Sequence, residues 1–501
     1  MLLIGLLLLA APEDLTVRLR HLESSGSAEA PASSPDGSRV AFVTTLFGTR
    51  QAASMAADGG YPNQLTDEPG GVISLRYAPN DAKVLIVTAL RGGKRRLLFI
   101  DEEGTPPAEV DPAPGDQFAG GFTRDGKKFF YAVIEGGKVS LRSLPLETRK
   151  PVEVAPPPPA AGPVQAPPKS LPVGEALAGL VALGPPSPDG RTVLAVVPDG
   201  LVLIDVPTAR GEVILPAEGG ARVRLPRFSP DGKTLYVLTD AGRKTMGVDT
   251  IAMVGRMRKT LYAPPQDLEA YAISDDGHRL AVAAEQEGET LFSVLELPSL
   301  RPAPLPVPPS GALAAAEAPM VWSRAGDRLL FGWRLSDDTP DVWAFRLGYG
   351  TPLRLTRSPR PGLPRESIAR PSLVRGAAPD GRDLSGWLWR PAEPAKPRVA
   401  VLISSRPTRP VLDKRIAALN FAGLAVLAVN QGTQATALSW LKEAPDLDAQ
   451  KPLLLDFDGL PVDQPTAWSG IVGRHKGAFE IDPQRPDLAA LIKYALHGPA
   501  L

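Results

Sequence analysis

Chemistry-bearing residues concentrate near the carboxyl end of the chain. Asp456 and Asp458 flank Phe457 and precede Gly459, directly after an apolar run at 453–457 (LLLDF). Two carboxylates at the carboxyl end of a buried parallel strand lie where an α/β sheet builds its sites. Ser469, within Ala467-Trp-Ser-Gly-Ile471, is a candidate nucleophile, and His497, within Leu496-His-Gly-Pro499, is the late histidine placed to act as its base. A hydroxyl nucleophile needs an imidazole within hydrogen-bond reach and a carboxylate to orient it. Each residue also has a plain reading. An aspartate at a strand end caps the next segment, Ser469 lacks the preceding glycine of a sharp nucleophile turn, and His497 sits near a fraying terminus.

The elements that would position these groups follow from the patterning. Beyond Thr356, apolar strands at 398–404 (RVAVLIS), 425–430 (AVLAVN) and 453–457 alternate with helical patterns at 412–421, 435–442 and 486–496. That alternation implies a parallel sheet built from β-α-β units. Upstream the pattern is different. The phrase at 229–238 (SPDGKTLYVL) has relatives beginning at Ser34, Pro79, Thr123, Ser187, Ser274 and Ser323. Successive copies lie 42 to 49 residues apart, except across a gap that holds a proline-rich insert at 150–172. Pro fixes φ, Asp bonds its own backbone, Gly accepts positive φ, and a β-branched, aromatic strand follows. Such a period marks propeller blades, about seven of them, stacked around a channel because one four-stranded unit cannot bury both its faces. Further strands are expected at 97–100, 201–205, 291–297 and 342–346. The fold class is therefore a β-propeller over 23–365 followed by a truncated α/β-hydrolase-like domain over 366–501.

Composition narrows the function. Lys plus Arg and Asp plus Glu each number 55, so no net field favours nucleic acid or an anionic membrane. Basic clusters at 91–96 (RGGKRR) and 256–259 (RMRK) read as solvated blade edges. The absence of cysteine excludes disulfides, thiolate metal sites and a cysteine nucleophile, and the four histidines, His21, His278, His475 and His497, form no local ligand pair. Residues 1–11 (MLLIGLLLLAA) are too short to span a bilayer and read as a signal peptide, so export to the periplasm or beyond is expected, with no integral membrane span. The stretches at 150–172 and 302–309 read as extended spacers.

The order of parts resembles the prolyl-oligopeptidase family of serine peptidases, with its acylaminoacyl-peptidase branch, in which a propeller precedes an α/β-hydrolase domain. The phrases, with 55–66 (MAADGGYPNQLT), also resemble the TolB-type propeller of the bacterial envelope. The joining segment at 377–391 (AAPDGRDLSGWLWRP) is similar to the family's hairpin leading into the hydrolase domain. Carried over residue by residue, the family's His-Gly-Gly-Pro loop, which helps form the oxyanion hole, falls on Ser404-Ser405-Arg406-Pro407. Its Asn-x-Arg-Gly segment keeps Asn430 and Gly432 without the arginine. Its glycine-flanked nucleophile turn falls on Asp456-Phe457-Asp458-Gly459-Leu460, which puts Asp458 where the serine belongs. About 40 residues follow Asp458, too little sheet for the remaining triad partners. The Asp456-x-Asp458-Gly459 stretch is itself similar to the first motif of haloacid-dehalogenase-type phosphatases, with Leu460 in place of a threonine.

The expectation is a non-catalytic, exported relative of these peptidases. It would bind a protein or peptide through the propeller's face or channel, with Tyr61, Trp322 and Trp333 as candidate lining, and no cofactor. The alternative is a serine peptidase with an atypical nucleophile at Ser469, and the third reading is a magnesium-dependent phosphatase using Asp456 and Asp458.

Overall fold

The computed structural model of the chain describes residues 14–102, 106–156, 170–314, 316–404, 407–430, 433–456, 470–473 and 487–497. The expected signal peptide at 1–11 lies outside them, as does 157–169 of the proline-rich insert.

Six of the seven recurring phrases build the same kind of turn, the exception being the copy at Pro79, which has neither the hydroxyl nor the glycine and closes with Ala78 paired to Asp81. In the others the first hydroxyl donates to the aspartate two residues on, at 2.6 Å for Ser34 to Asp36, Thr123 to Asp125, Ser187 to Asp189 and Ser229 to Asp231. The same oxygen accepts the amide five residues on, as from Thr234 to Ser229 at 3.0 Å, so one side chain fixes both the turn and the start of the next strand. Hydroxyl donation is the main cause that holds the Asp36, Asp125, Asp189 and Asp231 carboxyls below their ordinary range. The glycine that follows sits at φ 71° in Gly232 and 67° in Gly126, conformations that a Cβ disfavours. In the seventh copy Ala325 replaces the aspartate, and Ser323 donates instead to Asp327 at 2.7 Å.

Seven sheets result, running from Ala28 to Gln64, Val72 to Glu109, Asp116 to Glu153, Ala182 to Pro216, Val223 to Tyr262, Asp267 to Ala303 and Gly311 to Arg354. These are blades 1 to 7 of a propeller, and all their strand pairs are antiparallel. Leu171–Pro172 adds a fifth, outermost strand to blade 4, and the inner strand of blade 7 is split into Gly311–Leu313 and Met320–Trp322. The expected strands at 97–100, 201–205, 291–297 and 342–346 are the third strands of their blades, counted outward from the channel. Among the described residues, blade 1 is built only from strands of 28–64 and blade 7 only from strands of 311–354. Blade 1 meets blade 7 through Ala28, Phe42 and Met55 against Leu330, Val342 and Ala344. Arg328 adds bonds to the Ala57 carbonyl at 2.9 Å and Asp58 at 2.7 Å.

Two expectations are corrected here. Trp322 and Trp333 do not line a binding surface: they are 6% and 1% exposed in the core of blade 7. Each indole N–H donates to a carbonyl, Ala272 and Pro309, both at 3.1 Å, which removes the cost of burying the ring's polar edge. The 91–96 cluster is not a solvated blade edge but the hairpin between the second and third strands of blade 2. There Arg96 is buried against Glu109 at 2.8 Å and Arg91 pairs with Glu68 at 2.6 Å. Tyr61 is 84% exposed on a hairpin of blade 1.

The chain leaves blade 7 through a segment pinned by three buried aspartates. Asp341 accepts from Thr356 at 2.6 Å and the Ser358 amide at 2.9 Å, Asp338 pairs with Arg354 and Arg360, and Asp337 pairs with Arg365 and Arg370. A six-stranded sheet follows, ordered Ser372–Ala377, Asp383–Trp389, Leu424–Asn430, Arg398–Ser404, Asp448–Asp456, Gly470–Gly473. The first two strands form an antiparallel hairpin and the last four run parallel. One face packs on the helices Lys414–Phe421, Leu488–His497 and the amino-terminal Leu15–Glu23, through Leu19, Leu22, Leu419 and Leu491. The other face packs on Gln434–Lys442 through Ala437 and Leu441. Neither the helix Leu15–Glu23 nor the strand Gly470–Gly473 was expected: the helix's apolar stripe is short, and the strand is four residues flanked by glycines.

Candidate functional site

The carboxyl ends of the parallel strands place Ser404, Asn430 and Asp456 along one edge of the sheet. This is where an α/β fold puts its chemistry, because strand ends and loops converge there. Asp456 is 1% exposed, its carboxylate enclosed at the end of a strand whose residues Leu453 to Asp456 register against Gly470 to Gly473. Asp458, Ser469, His475, Ser405, Arg406 and Gly432 lie outside the described residues, and of His497 only the backbone is described, as the last residue of its helix. Among the described residues no group of three His, Asp or Glu side chains is placed to hold a metal ion, and no helix is long and apolar enough to cross a membrane.

The loop that follows the strand Arg398–Ser404 is described from Pro407 onward, and it is tied to both the sheet and the propeller. The Thr408 amide donates to Asn430 Oδ1 at 2.7 Å. Arg409 forms an ion pair with Glu269 on the inner strand of blade 6, and its Nη1 lies 3.2 Å from Thr290 Oγ1. The Leu412 amide donates to the Leu335 carbonyl of blade 7 at 2.7 Å. Asp413 then caps the next helix, accepting from the Arg415 amide at 2.8 Å. Burial opposes ionisation of Asp413, but the charge and hydrogen bonds of Arg415, with Arg334 nearby, hold its pKa down at about 2.

From the propeller side, the hairpin between the second and third strands of blade 6 reaches into this loop. Gly288, at φ 92°, lies so close that a Cβ there would come within 2.2 Å of the Thr408 carbonyl oxygen. The Glu287 carboxylate accepts from Arg375 Nη2 at 2.8 and 3.0 Å and from its Nε at 3.1 Å, and the Glu287 carbonyl accepts from Trp387 Nε1 at 2.8 Å. The loop from Pro407 onward is thus a wedge between propeller and sheet, and the Thr408 amide is bonded inside the protein.

Sequence reasoning missed Thr408, Arg409, Glu269, Glu287 and Gly288. The available signal was an acid-rich turn, Glu285-Gln-Glu-Gly-Glu289, facing an arginine set between two prolines, Arg406-Pro-Thr-Arg-Pro410. An open groove of about 520 Å³, lined by Asn80, Phe99, Lys127 and Arg149, lies between blades 2 and 3, away from this edge.

No protein-family model matches the chain, and no curated protein matches it. Solved structures do. Prolyl endopeptidases, described for the role of inter-domain dynamics in catalysis and specificity, superpose with a TM-score of 0.70 at 15% identity over 93% of this chain and 74% of theirs. A Mycobacterium tuberculosis puromycin-hydrolyzing peptidase gives 0.70 at 16% over 96% of this chain and 83% of its own. A puromycin hydrolase gives 0.68 at 16% over 88% and 75%. The chain therefore has the fold of these proteins, a seven-bladed propeller followed by an α/β sheet.

Proposed function

We propose that the chain is a non-catalytic protein of the prolyl-oligopeptidase fold that binds a peptide or an extended protein segment through its propeller. The observation that carries this reading is the state of the loop at 407–412. Its Thr408 amide is committed to Asn430, its Arg409 to Glu269, and its Thr408 carbonyl to close contact with Gly288. The described part of this loop is taken up in fastening the propeller to the sheet, which supports a binding scaffold held in one arrangement rather than a loop held open for a substrate. A propeller stripped of chemistry still offers a channel and two faces for recognition.

The competing reading, a serine peptidase acting through Ser469, draws on the names of the structural neighbours. Incubation of the full chain with a fluorophosphonate probe separates the two. The expected result is no stoichiometric serine adduct by intact mass, and a single labelled serine abolished by Ser469→Ala would replace the binding reading with the peptidase one. The magnesium-phosphatase reading predicts phosphate release from p-nitrophenyl phosphate that disappears in Asp456→Asn; the expected result is no release in either form. Export is part of the proposal, and amino-terminal sequencing of the protein recovered from the cell envelope fraction should show a start near residue 12.

A further inference from the structure

The strongest unexplained feature lies inside the propeller, at the end of the channel opposite the α/β sheet. The inner strand of every blade runs toward its recurring turn, so the seven turns ring this far mouth, while the blade 6 hairpin at Glu287 and Gly288 lies at the near one. On the channel wall, Arg76 of blade 2 pairs with Glu317 of blade 7 at 3.0 Å and also donates to the Gly120 carbonyl of blade 3. At the mouth, the second residue of two turns spans to a non-adjacent blade. Arg124 of blade 3 donates to the Pro230 carbonyl of blade 5, and Arg324 of blade 7 donates to the Pro79 carbonyl of blade 2. Asp275 of blade 6 feels the charges of Arg324, Arg124 and Arg227 together.

Arg227 is the odd member. It lies near the turn-ward end of the inner strand Val223–Phe228, paired through its backbone with Tyr236, and is only partly accessible; among the described residues its side chain makes no hydrogen bond and no close ion pair, though Asp275 attracts it. The neighbouring Tyr271 hydroxyl is already donated to the Leu225 carbonyl at 2.6 Å. Burial pushes the Arg227 guanidinium below its ordinary value, with Arg76 acting in the same sense and Tyr271 and Asp275 against it. A guanidinium does not lose its proton in a protein, so a bound anion would offset the cost that burial puts on this charge. Arg76, Arg124, Arg227 and Arg324 lie on the wall and rim beside Asp275 and Glu317; Glu317 is paired with Arg76, and the turn aspartates of the same mouth, such as Asp125 and Asp231, are bonded within their own turns. A carboxylate adds one negative charge and matches the fork of a guanidinium with two parallel hydrogen bonds. A phosphate would bring nearly two charges beside Asp275 and Glu317 in a region of weak screening.

We propose that Arg227, with Arg124 and Arg324 at the rim, anchors the carboxylate of a peptide that enters the propeller channel. This rests on the peptide-binding reading above and adds the ligand's chemistry to it.

The test uses the full chain and titration calorimetry with three probes: an alanine pentapeptide with a free terminal carboxylate, its amidated twin, and inorganic phosphate. The free acid should bind roughly tenfold more tightly than the amide, and Arg227→Gln should bring it to the level of the amide, with Arg227→Lys between. Without ligand, Arg227→Gln should melt at a higher temperature than the wild type, because it removes an unpaired, poorly solvated charge; a purely structural arginine would give a lower one. Equal binding of acid and amide, or acid binding untouched by Arg227→Gln, overturns the anchoring site while leaving peptide binding in place. Failure of both peptides to bind removes both readings, and binding of phosphate alone overturns the peptide carboxylate as the occupant.

Discussion

The propeller blades and the carboxyl edge of the α/β sheet hold themselves together by different means. A blade is fixed by a relay within six consecutive residues: hydroxyl to aspartate, amide to hydroxyl, and a glycine in the left-handed region. The relay recurs in six of the seven blades, and where one lacks the aspartate, as at Ala325, a nearby Asp327 substitutes; blade 2, with Pro79-Asn80 at its turn, closes without it. The sheet edge depends on contacts that occur once and join distant parts of the chain, such as Arg409 with Glu269, Arg375 with Glu287, and Thr408 with Gly288. A repeated local device tolerates the loss of one copy. A single long-range wedge has no second copy, so the orientation of the propeller against the sheet should be the more fragile property.

The sharpest way to break this comparison is to attack a blade core. Phe331 is fully buried among Phe292, Trp333 and Phe345, with ring centroids 4.6 to 5.8 Å apart. Phe331→Ala should cost about 3–5 kcal/mol in denaturant unfolding, more than any turn or interface change below. If it costs less than a turn variant does, local turns rather than packing carry the propeller.

Next comes the wedge. Gly288→Val combines a strained positive φ with a Cβ driven into the Thr408 carbonyl, and should cost about 2 kcal/mol. The informative readout is hydrogen exchange: residues 407–412 and the Glu287 turn should lose protection while the blade cores keep theirs. Uniform loss throughout the propeller would show that the wedge is not a separable contact.

A comparable effect is expected from acid. The folded pKa of Asp413 is about 2 against an ordinary 3.8, so its ionised form stabilises the fold fully above about pH 4, and this contribution is lost as pH falls from there toward 2. The loss amounts to roughly 2 kcal/mol, and Asp413→Asn should flatten that part of the stability profile, since the carboxylate that caps the helix and pairs with Arg415 is gone. An unchanged acid profile in the variant would assign acid sensitivity elsewhere.

The smallest effect should come from the repeated device. Ser229→Ala removes the bonds to Asp231 and from the Thr234 amide and should cost about 1 kcal/mol. The fold should stay cooperative, because blade 7 already lives without the aspartate at this place.

The arrangement of blades was legible in the sequence because every bond of the turn joins residues at most five apart, so a ten-residue phrase carries the whole instruction. The parallel sheet was legible for a related reason. The runs at 398–404 and 425–430 are apolar at nearly every position, as strands covered on both faces must be. The roles of single aromatic and charged residues were not legible. Trp322 and Trp333 look the same in sequence whether they line a channel or fill a blade, and only the carbonyls of Ala272 and Pro309 settle it. Nor does any pattern place Arg227 in a ring with Arg124, Arg324 and Asp275, which come from four blades. The sequence alone therefore determined the elements, their order and the propeller that they build, since short-range turn chemistry and burial patterns suffice for that. Tertiary structure alone decided that the loop after the first parallel strand is a wedge and that one arginine in the channel lacks a partner. Both depend on which residues, over a hundred positions apart, are brought face to face when the blades close into a ring.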